Sequence, residues 1–310
     1  MSGSMEEWPL LTINILAYNR RDDLRTTLQE ITGNIDYPRD RIEIIVNDNA
    51  SNDGTSEMVG SEFPGVRLFR IPRNVGIAGW NYGFVNGRGR YFLVLDDDSH
   101  PVGGVRDAVA FMEENRNVGV LACKIIGGAF TTLKRTDLQD WIGFIGAGAI
   151  IRREVVERIG GYADWMFLYS HEWEYGLRVL NEGFGIKYFE RCVVNHRASS
   201  THRSFKRLRT FTTRNELAII YLYFPLRRMP VLMFRTFFWN MLKFRKDGLT
   251  TIGYALHGLL LFLKLVPSIR GDRRVVGEKV QEAYVSTFWS TQPVMMRLRK
   301  KLRSLAGKTG

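Results

Sequence analysis

The feature that most constrains the fold is a regular alternation of apolar, strand-like segments with segments of helical periodicity at the start of the chain. The strand-like segments are 10–18, 42–51, 66–71 and 91–98. The helix-like segments between them are 21–34, 54–63 and 78–87. Strands that alternate with helices of about 10–15 residues indicate a mostly parallel sheet with helices on both faces. The sequence therefore predicts an α/β fold.

Polar side chains follow each predicted strand. They are Asn19 and Arg20 after the first, Asp48 and Asn49 after the second, Arg73 and Asn74 after the third, and Asp96 to Asp98 after the fourth. In parallel α/β sheets, ligands bind beyond the carboxyl ends of the strands. Asp, Asn and Arg gathered at one edge indicate a site for a polar, phosphate-bearing ligand, although any single Asn-Asp pair is typical of an ordinary turn.

Three consecutive aspartates, Asp96 to Asp98, end the apolar segment YFLVL. Adjacent carboxylates repel, and burying them costs several kcal/mol unless a positive charge compensates. A divalent cation prefers hard oxygen ligands and would turn this repulsion into binding. A solvated acidic turn is the alternative interpretation.

The charge of the chain is unevenly distributed. Residues 1–196 carry 21 Lys and Arg against 27 Asp and Glu, a net −6, whereas residues 197–310 carry 23 against 5, a net +18. This break predicts two parts, residues 1–200 and residues 201–310, of which the second should attract an anionic surface. The opening MSGSMEEWPL has no signal-peptide pattern, and two cysteines are too few for a disulfide framework, so a reducing, cytoplasmic compartment is expected.

Seven segments carry a resemblance to a known family. They are TINILAYNR, VNDNASNDGT, RNVGIAGWNYG, LVLDDDSHP, GAGAIIRREVVERIGGY, HEWEYGLR and NHRASS, in the family's order over residues 10 to 200. The chain resembles the family 2 glycosyltransferases, which have the Rossmann-like GT-A fold and use nucleotide sugars. Within that family it is most similar to rhamnosyl- and galactofuranosyl-type enzymes of bacterial surface polysaccharide assembly.

The resemblance implies a metal site and a nucleotide site. Asp96 and Asp98 match the family's D-x-D motif and, with His196, would bind Mn²⁺ or Mg²⁺. The expected nucleotide-binding residues are Ala17, Tyr18, Asn19, Arg20, Asp48, Asn74, Asp96 and Asp97. Among these, Asp48 matches the residue that accepts a hydrogen bond from the base, usually uracil or thymine, and Asp97 is expected to face the ribose or the sugar.

The resemblance also implies a catalytic base. In the family this base is the second acid of an Asp-Asp or Glu-Asp pair; here the pair is His171-Glu172, so Glu172 takes the base position although both residues depart from the pattern. An inverting transfer needs such a base to take the proton of the attacking hydroxyl. Gly148, Trp173 and Glu174 match positions on the acceptor side.

The basic C-terminal part, 201–310, mixes cations with aromatic and aliphatic residues at helical intervals. Amphipathic helices on an anionic membrane surface, a helical subdomain or homodimer contact, and single-stranded nucleic acid binding all suit this pattern. Related bacterial enzymes act at the cytoplasmic membrane on lipid-linked glycans, which favours a peripheral location on its inner face and no nucleic acid partner. The longest apolar run, 253–267, is shorter than the roughly 20 residues of a membrane crossing.

The function predicted from this resemblance is inverting, metal-dependent transfer of a sugar from a UDP- or dTDP-sugar to a hydroxyl of a glycan or lipid-linked glycan. One alternative is a nucleotidyltransferase, which would usually carry a glycine-rich loop after the first strand; AYNRRDD has no glycine. A second alternative is a non-catalytic binding protein that kept the fold while its site decayed, and the His171-Glu172 departure is its only support.

Overall fold

The computed structural model describes residues 7–127, 135–199 and 204–290. Its centre is one eight-stranded mixed sheet in the order β3-β2-β1-β4-β7-β6-β8-β5. The strands are β1 (Leu11–Ala17), β2 (Ile42–Asp48), β3 (Arg67–Arg70), β4 (Tyr91–Asp96), β5 (Ser99–Gly103), β6 (Val118–Ile126), β7 (Ala149–Arg152) and β8 (Gly185–His196). The first four strands are parallel, as are β6 and β8, whereas β7 runs antiparallel to both of its neighbours and β5 antiparallel to β8.

Helices cover both faces of the sheet. They are α1 (Arg21–Asn34), α2 (Thr55–Glu62), α3 (Trp80–Asn86), α4 (Val105–Glu114), α5 (Arg153–Ile159), α6 (His171–Asn181), α7 (Phe205–Tyr223), α8 (Met229–Leu242), α9 (Phe244–Asp247), α10 (Thr250–Ile269) and α11 (Glu278–Ser290). The predicted α/β class and helical C-terminal region are confirmed.

Alternate side chains of β4 enter two separate cores, as the period of two in a strand requires. Tyr91, Leu93 and Leu95 pack with α1, α2 and α4 on one face. Phe92 and Val94 pack on the other face with α3, α5 and α6, and the C-terminal helices join this same cluster. The core is therefore continuous across residue 200, where the sequence changes in charge and in secondary structure.

Helix α10 is longer than the apolar run in the sequence suggests. The stretch Thr250–Asp272 is long and apolar enough to cross a membrane by length and composition, with 22% of its most apolar window buried. The expectation that no segment reaches this length is therefore wrong, because the helix continues through Pro267. The cationic segment MRLRKKLR at 296–303 lies outside the described residues.

Candidate active site

The aspartate run lies at the carboxyl edge of the sheet, directly after the buried strand β4. The Ser99 hydroxyl fixes this turn by accepting a hydrogen bond from the Asp96 N–H at 2.9 Å. Ser99 then begins β5 and pairs with His196 at the end of β8. The antiparallel β5–β8 register thus brings a histidine from far along the chain beside the aspartates.

Asp96, Asp98 and His196 form a compact cluster, in which one potential ligand atom of each lies within 4.8 Å of the others. His196 Nε2 lies 3.2 Å from Asp98 Oδ1 and 3.7 Å from Asp96 Oδ2. Adjacent ligands of an octahedral ion with bonds of about 2.1 Å are about 3 Å apart, so these separations match a shared ion closely. Two carboxylate oxygens and an imidazole nitrogen suit Mn²⁺, and the three predicted ligands fit a divalent cation.

Asp97 turns toward the end of β1 and away from this cluster. Its carboxylate accepts hydrogen bonds from the Tyr18 N–H at 3.1 Å and from Arg20 Nη1 at 2.9 Å. Arg20 Nη1 also lies 3.5 Å from Asp98 Oδ2. One guanidinium therefore bridges two of the three aspartates and ties the first strand to the fourth.

Burial and the repulsion between neighbouring carboxylates both act on the pKa values of the three aspartates. Burial raises the pKa of Asp97 to about 7, even with Arg20 beside it. Burial and the charge of Asp98 raise the pKa of Asp96, whose side chain is 34% exposed toward the cavity. Burial opposes ionisation of Asp98 too, but His196 and Arg20 outweigh it and lower the pKa of Asp98. A bound cation would relieve the remaining repulsion.

A cavity of about 900 Å³ opens over this edge. Of the predicted nucleotide-binding residues, its lining includes Tyr18, Arg20, Asn74, Asp96 and Asp97. Ala17, Asn19 and Asp48 lie at the same strand ends but are not part of the lining. The volume lies within the range of about 300–1,000 Å³ that ligand pockets usually have.

Asp48 and its neighbour Asn49 shape the loops under the cavity. The Asp48 carboxylate, 3% exposed, accepts hydrogen bonds from the Ser51 N–H at 3.0 Å and from the Ser56 hydroxyl. The Asn49 amide group donates to Asn74 Oδ1 at 3.1 Å and to the Gly76 carbonyl at 3.0 Å, and its oxygen accepts from the Val75 N–H. Asn49, which sequence analysis placed among the polar residues at the strand ends without assigning it a contact, lines the cavity and holds Asn74.

Glu172 lies in the first turn of α6 and lines the same cavity as the aspartates. Its Oε1 accepts a hydrogen bond from the Gly146 N–H at 3.2 Å, and its Oε2 lies 3.3 Å from His171 Nδ1. His171 is 7% exposed and its ring packs against Trp80 and Tyr162. The Gly146 N–H therefore fixes one oxygen of Glu172, while the His171 ring, which also lines the cavity, lies beside the other.

The turn before α6 is strained and is held by the C-terminal region. Tyr169 and Ser170 both have positive φ, at 67° and 60°, which costs non-glycine residues about 1–3 kcal/mol each. Asn215 of α7 is fully buried, and its amide group donates to the carbonyls of Leu168 at 2.7 Å and Tyr169 at 2.8 Å. This contact, which no sequence motif indicated, fixes the backbone that begins the Glu172 helix.

The three predicted acceptor residues fall in different surroundings. Trp173 lines the cavity. Glu174 is 1% exposed and is paired with Arg178 at 2.7 Å and hydrogen-bonded to Tyr223, so it links α6 to α7 and is not part of the lining. Gly148 directly precedes β7, where a Cβ would meet the Ile125 and Val194 side chains, so it is a packing glycine. Neither Gly148 nor Glu174 is among the residues that line the cavity.

The far side of the cavity contains residues that sequence reasoning missed. Trp141 and Gly143 lie beside Trp173, and Phe205 and Arg207 come from the first turn of α7. Arg135 stacks over Trp141 at 4.6 Å. The motif match fades before Phe205, so nothing in the sequence distinguished these side chains from the rest of the basic part.

Comparison with known proteins agrees with this geometry. The probable glycosyltransferase YdaM of Bacillus subtilis (strain 168) is 25% identical over 305 residues, covering 85% of this chain and 71% of the relative. Among solved structures, the mannosyltransferase PcManGT from Pyrobaculum calidifontis, in complex with GDP-Man and Mn²⁺, has a TM-score of 0.58 at 18% identity and covers 92% of this chain and 89% of its own. S. aureus TarS 1-349 in complex with UDP has a TM-score of 0.55 at 15% identity and covers 94% and 92%.

At these low sequence identities, the structural comparisons show the fold alone, which is GT-A. The family model named glycosyl transferase family 2 matches residues 12–175, more than half of the chain. That range runs from β1 through the aspartate run to the first turn of α6, so it contains the aspartates and Glu172. With the shared fold and this match, the chain belongs to glycosyl transferase family 2.

Proposed function

We propose that the protein is an inverting, metal-dependent glycosyltransferase that moves a sugar from a UDP- or dTDP-sugar to a hydroxyl of a glycan or lipid-linked glycan. The observation that carries this proposal is that Asp96 and His196 of the Asp96–Asp98–His196 cluster line the same cavity as Glu172. A sugar held between them would have its diphosphate on one side and a carboxylate on the other. Inversion requires this arrangement of leaving group and base.

Asp96, Asp98 and His196 would hold Mn²⁺ or Mg²⁺, which neutralises the charge that grows on the departing diphosphate. Arg20 holds Asp97 in place by its 2.9 Å contact and adds positive charge to the same edge. Tyr18 and Asn74 line the cavity and would contact the nucleotide, and Ala17, Asn19 and Asp48 would support the base from the adjoining strand ends. The mannosyltransferase and TarS structures named above contain GDP-Man and UDP, which supports a nucleoside diphosphate donor.

Glu172 would take the proton of the acceptor hydroxyl as that hydroxyl attacks the anomeric carbon. The Gly146 N–H orients its carboxylate, His171 Nδ1 lies 3.3 Å from the second oxygen, and the α6 N-terminus stabilises its negative charge. Trp173 and Trp141 offer flat apolar surfaces on which a sugar ring of the acceptor can stack. A binding site that had lost its catalytic function would not need a backbone N–H to orient the Glu172 carboxylate.

The first test measures Mn²⁺-dependent turnover of a panel of UDP- and dTDP-sugars by wild type and by Glu172→Gln. Loss of the base should lower kcat about 10²–10⁴-fold. The rise in melting temperature caused by UDP or dTDP with Mn²⁺ should persist, because the nucleotide side is unchanged. Glu182→Gln at the exposed C-terminal end of α6 is the matched control and should keep full activity.

Two outcomes would count against the proposal. If wild type turns over no donor and no nucleotide raises its melting temperature, the protein is a binding protein with a decayed site. If Glu172→Gln turns over donor at the wild-type rate, Glu172 is not the base. Proton NMR of the product resolves the stereochemistry, since inversion converts an α-linked donor into a β-linked product.

A further inference from the structure

The C-terminal helices expose large apolar side chains to an unusual extent. Of the fourteen exposed large apolar residues in the described part of the chain, eight lie between Leu226 and Leu263. They are Leu226, Val231, Phe234, Phe238, Leu249, Leu256, Leu260 and Leu263. Single exposed apolar residues are normal, whereas a concentration on neighbouring helices marks a contact surface.

Helix α10 is apolar on two opposite faces. The buried face packs against α7 and α8 and contains Thr251, Ala255, Gly258 and Phe262. The exposed side chains Leu256, Leu260 and Leu263 recur at the same helical spacing on the other face, 46–57% exposed. A helix that is apolar all round is normally covered all round. Here the protein covers one face only.

Helix α8 continues this surface. Val231, Phe234 and Phe238 follow at intervals of three and four residues, and the Phe234 and Phe238 rings stack at 6.0 Å. The opposite side of α8, with Leu232 and Thr236, is buried. Because α8 and α10 pack on α7 and on each other, the faces turned away from α7 lie on the same side of this helical layer.

The charges around this apolar face are positive. The exposed cations from 226 to 264 are Arg227, Arg235, Arg245, Lys246 and Lys264. Asp247 is the single acid in that range of the sequence, and it is paired with Arg209 and largely buried. The face therefore presents apolar side chains with a cationic border and no exposed carboxylate.

We propose that this face of α8 and α10 binds an anionic membrane surface, with both helices lying in the plane of the bilayer. The aliphatic and aromatic side chains would enter the acyl boundary while the arginines and lysines contact lipid phosphates. A second copy of the chain is a poorer occupant, because a self-complementary contact brings two cationic borders together. A spanning α10 would have to leave α7, where Gly258 lies against the Thr210 carbonyl with no room for a Cβ.

Helix α10 itself reaches the lining of the cavity near its first turn. Phe205, at the start of α7, lines the cavity, and its ring contacts Tyr254 of α10 at 6.4 Å between ring centroids. A membrane under α8 and α10 would therefore bring lipid-borne hydroxyls near the acceptor side. This last step rests on the proposed transferase function, whereas membrane binding itself does not.

The test is co-sedimentation of the full chain with vesicles, without nucleotide or metal. Wild type should bind vesicles of phosphatidylcholine mixed with phosphatidylglycerol and bind phosphatidylcholine alone far less. The double variant Phe234→Glu/Leu260→Glu should lower the bound fraction at limiting lipid by about tenfold or more, since it puts charge into the apolar face. Val85→Glu/Val102→Glu, at residues 81% and 56% exposed on the sheet region, is the matched control and should bind as wild type.

Circular dichroism and the melting temperature establish that both double variants fold. The proposal is overturned if wild type does not bind anionic vesicles, or if Phe234→Glu/Leu260→Glu binds as well as the control. It is also overturned if wild type is a dimer by light scattering that this variant alone dissociates, with vesicle binding unchanged. Bound protein should be released by alkaline carbonate; retention in the pellet would indicate a spanning helix and contradict the in-plane arrangement.

Discussion

The carboxyl edge of the sheet and the outer face of the C-terminal helices depart from ordinary burial in opposite directions. At the edge, Asp97, Asp98 and His196 are 0–4% exposed. On the helices, Phe234 is 70% exposed and Leu249 is 75% exposed. Charged groups are rarely buried unless paired, and contiguous apolar faces are rarely left to water.

Each departure carries one of the two proposals. A divalent cation would satisfy the buried carboxylates, and an anionic lipid surface would cover the exposed apolar side chains and contact the nearby cations. Helix α7 joins the two regions, because its buried side holds the Glu172 turn while α8 and α10 pack upon it. Substitutions in the two regions should therefore differ widely in their effects on turnover and stability.

Removing a predicted metal ligand should have the largest effect. In Asp98→Ala the cation would lose a fully buried carboxylate, and donor turnover should fall about 10³-fold. Unlike Glu172→Gln, this variant should also lose the stabilisation by UDP or dTDP with Mn²⁺, measured as the shift in melting temperature. Asp53→Ala, at an aspartate in the loop before α2, is the control. An unchanged Mn²⁺ dependence in Asp98→Ala would show that Asp98 is not a ligand.

Glu172 and Glu174 lie on the same helix, and substituting each in turn should separate the loss of turnover from the loss of stability. Glu174→Ala leaves Arg178 buried without its partner, so the free energy of unfolding should fall by about 3–5 kcal/mol. Glu172→Ala removes no buried pair and should change the free energy of unfolding little while it abolishes turnover. Urea denaturation of both variants measures their free energies of unfolding. Equal destabilisation would mean that Glu172 also has a structural role.

Asn215 should couple the C-terminal helices to the active site. Asn215→Leu keeps the branching of the side chain but removes both hydrogen bonds to the strained turn, so we expect about 1–3 kcal/mol of lost stability and a kcat about 10-fold lower. A purely structural role would lower stability with kcat and KM unchanged in the remaining folded enzyme. Asn215→Asp, which keeps the shape but loses the donor, should resemble Asn215→Leu.

Phe234→Glu should have the smallest effect on the isolated protein. Its side chain is 70% exposed, so the free energy of unfolding should change by less than about 0.5 kcal/mol. Turnover of a water-soluble donor should be unchanged as well. A large destabilisation, measured by urea denaturation, would mean that the α8 face is already packed within the protein.

Several elements could be predicted closely because their signal is local. Helix α1 occupies the predicted residues 21–34, and β1, β2 and β4 lie within their predicted segments. The Asp96–Asp98–His196 cluster was also predicted, through motifs in the family's order. The antiparallel β7 and the 20-residue α10 were not, because strand direction and helix ends depend on partners distant in sequence.

The placement of site residues was less predictable. Glu172 and Glu174 both match acidic positions of the family, yet one faces the cavity and the other pairs with Arg178. The spacing of residues along a helix predicts on which face of the helix a side chain lies. It does not predict which residues of α7 pack against that face. Gly148 likewise matched a flexible segment and serves to pack β7 against Ile125.

The α/β alternation, the carboxylates at the strand ends and the cationic character of the last third can be predicted from the amino-acid order, because each depends on neighbouring residues. Which of those groups share a cavity depends on how the chain folds. The β5–β8 pairing brings His196 to the aspartates, the Asn215 amide fixes the turn before Glu172, and packing on α7 leaves one side of α8 and α10 exposed. These are contacts between residues far apart in the chain, which local propensity and spacing do not specify.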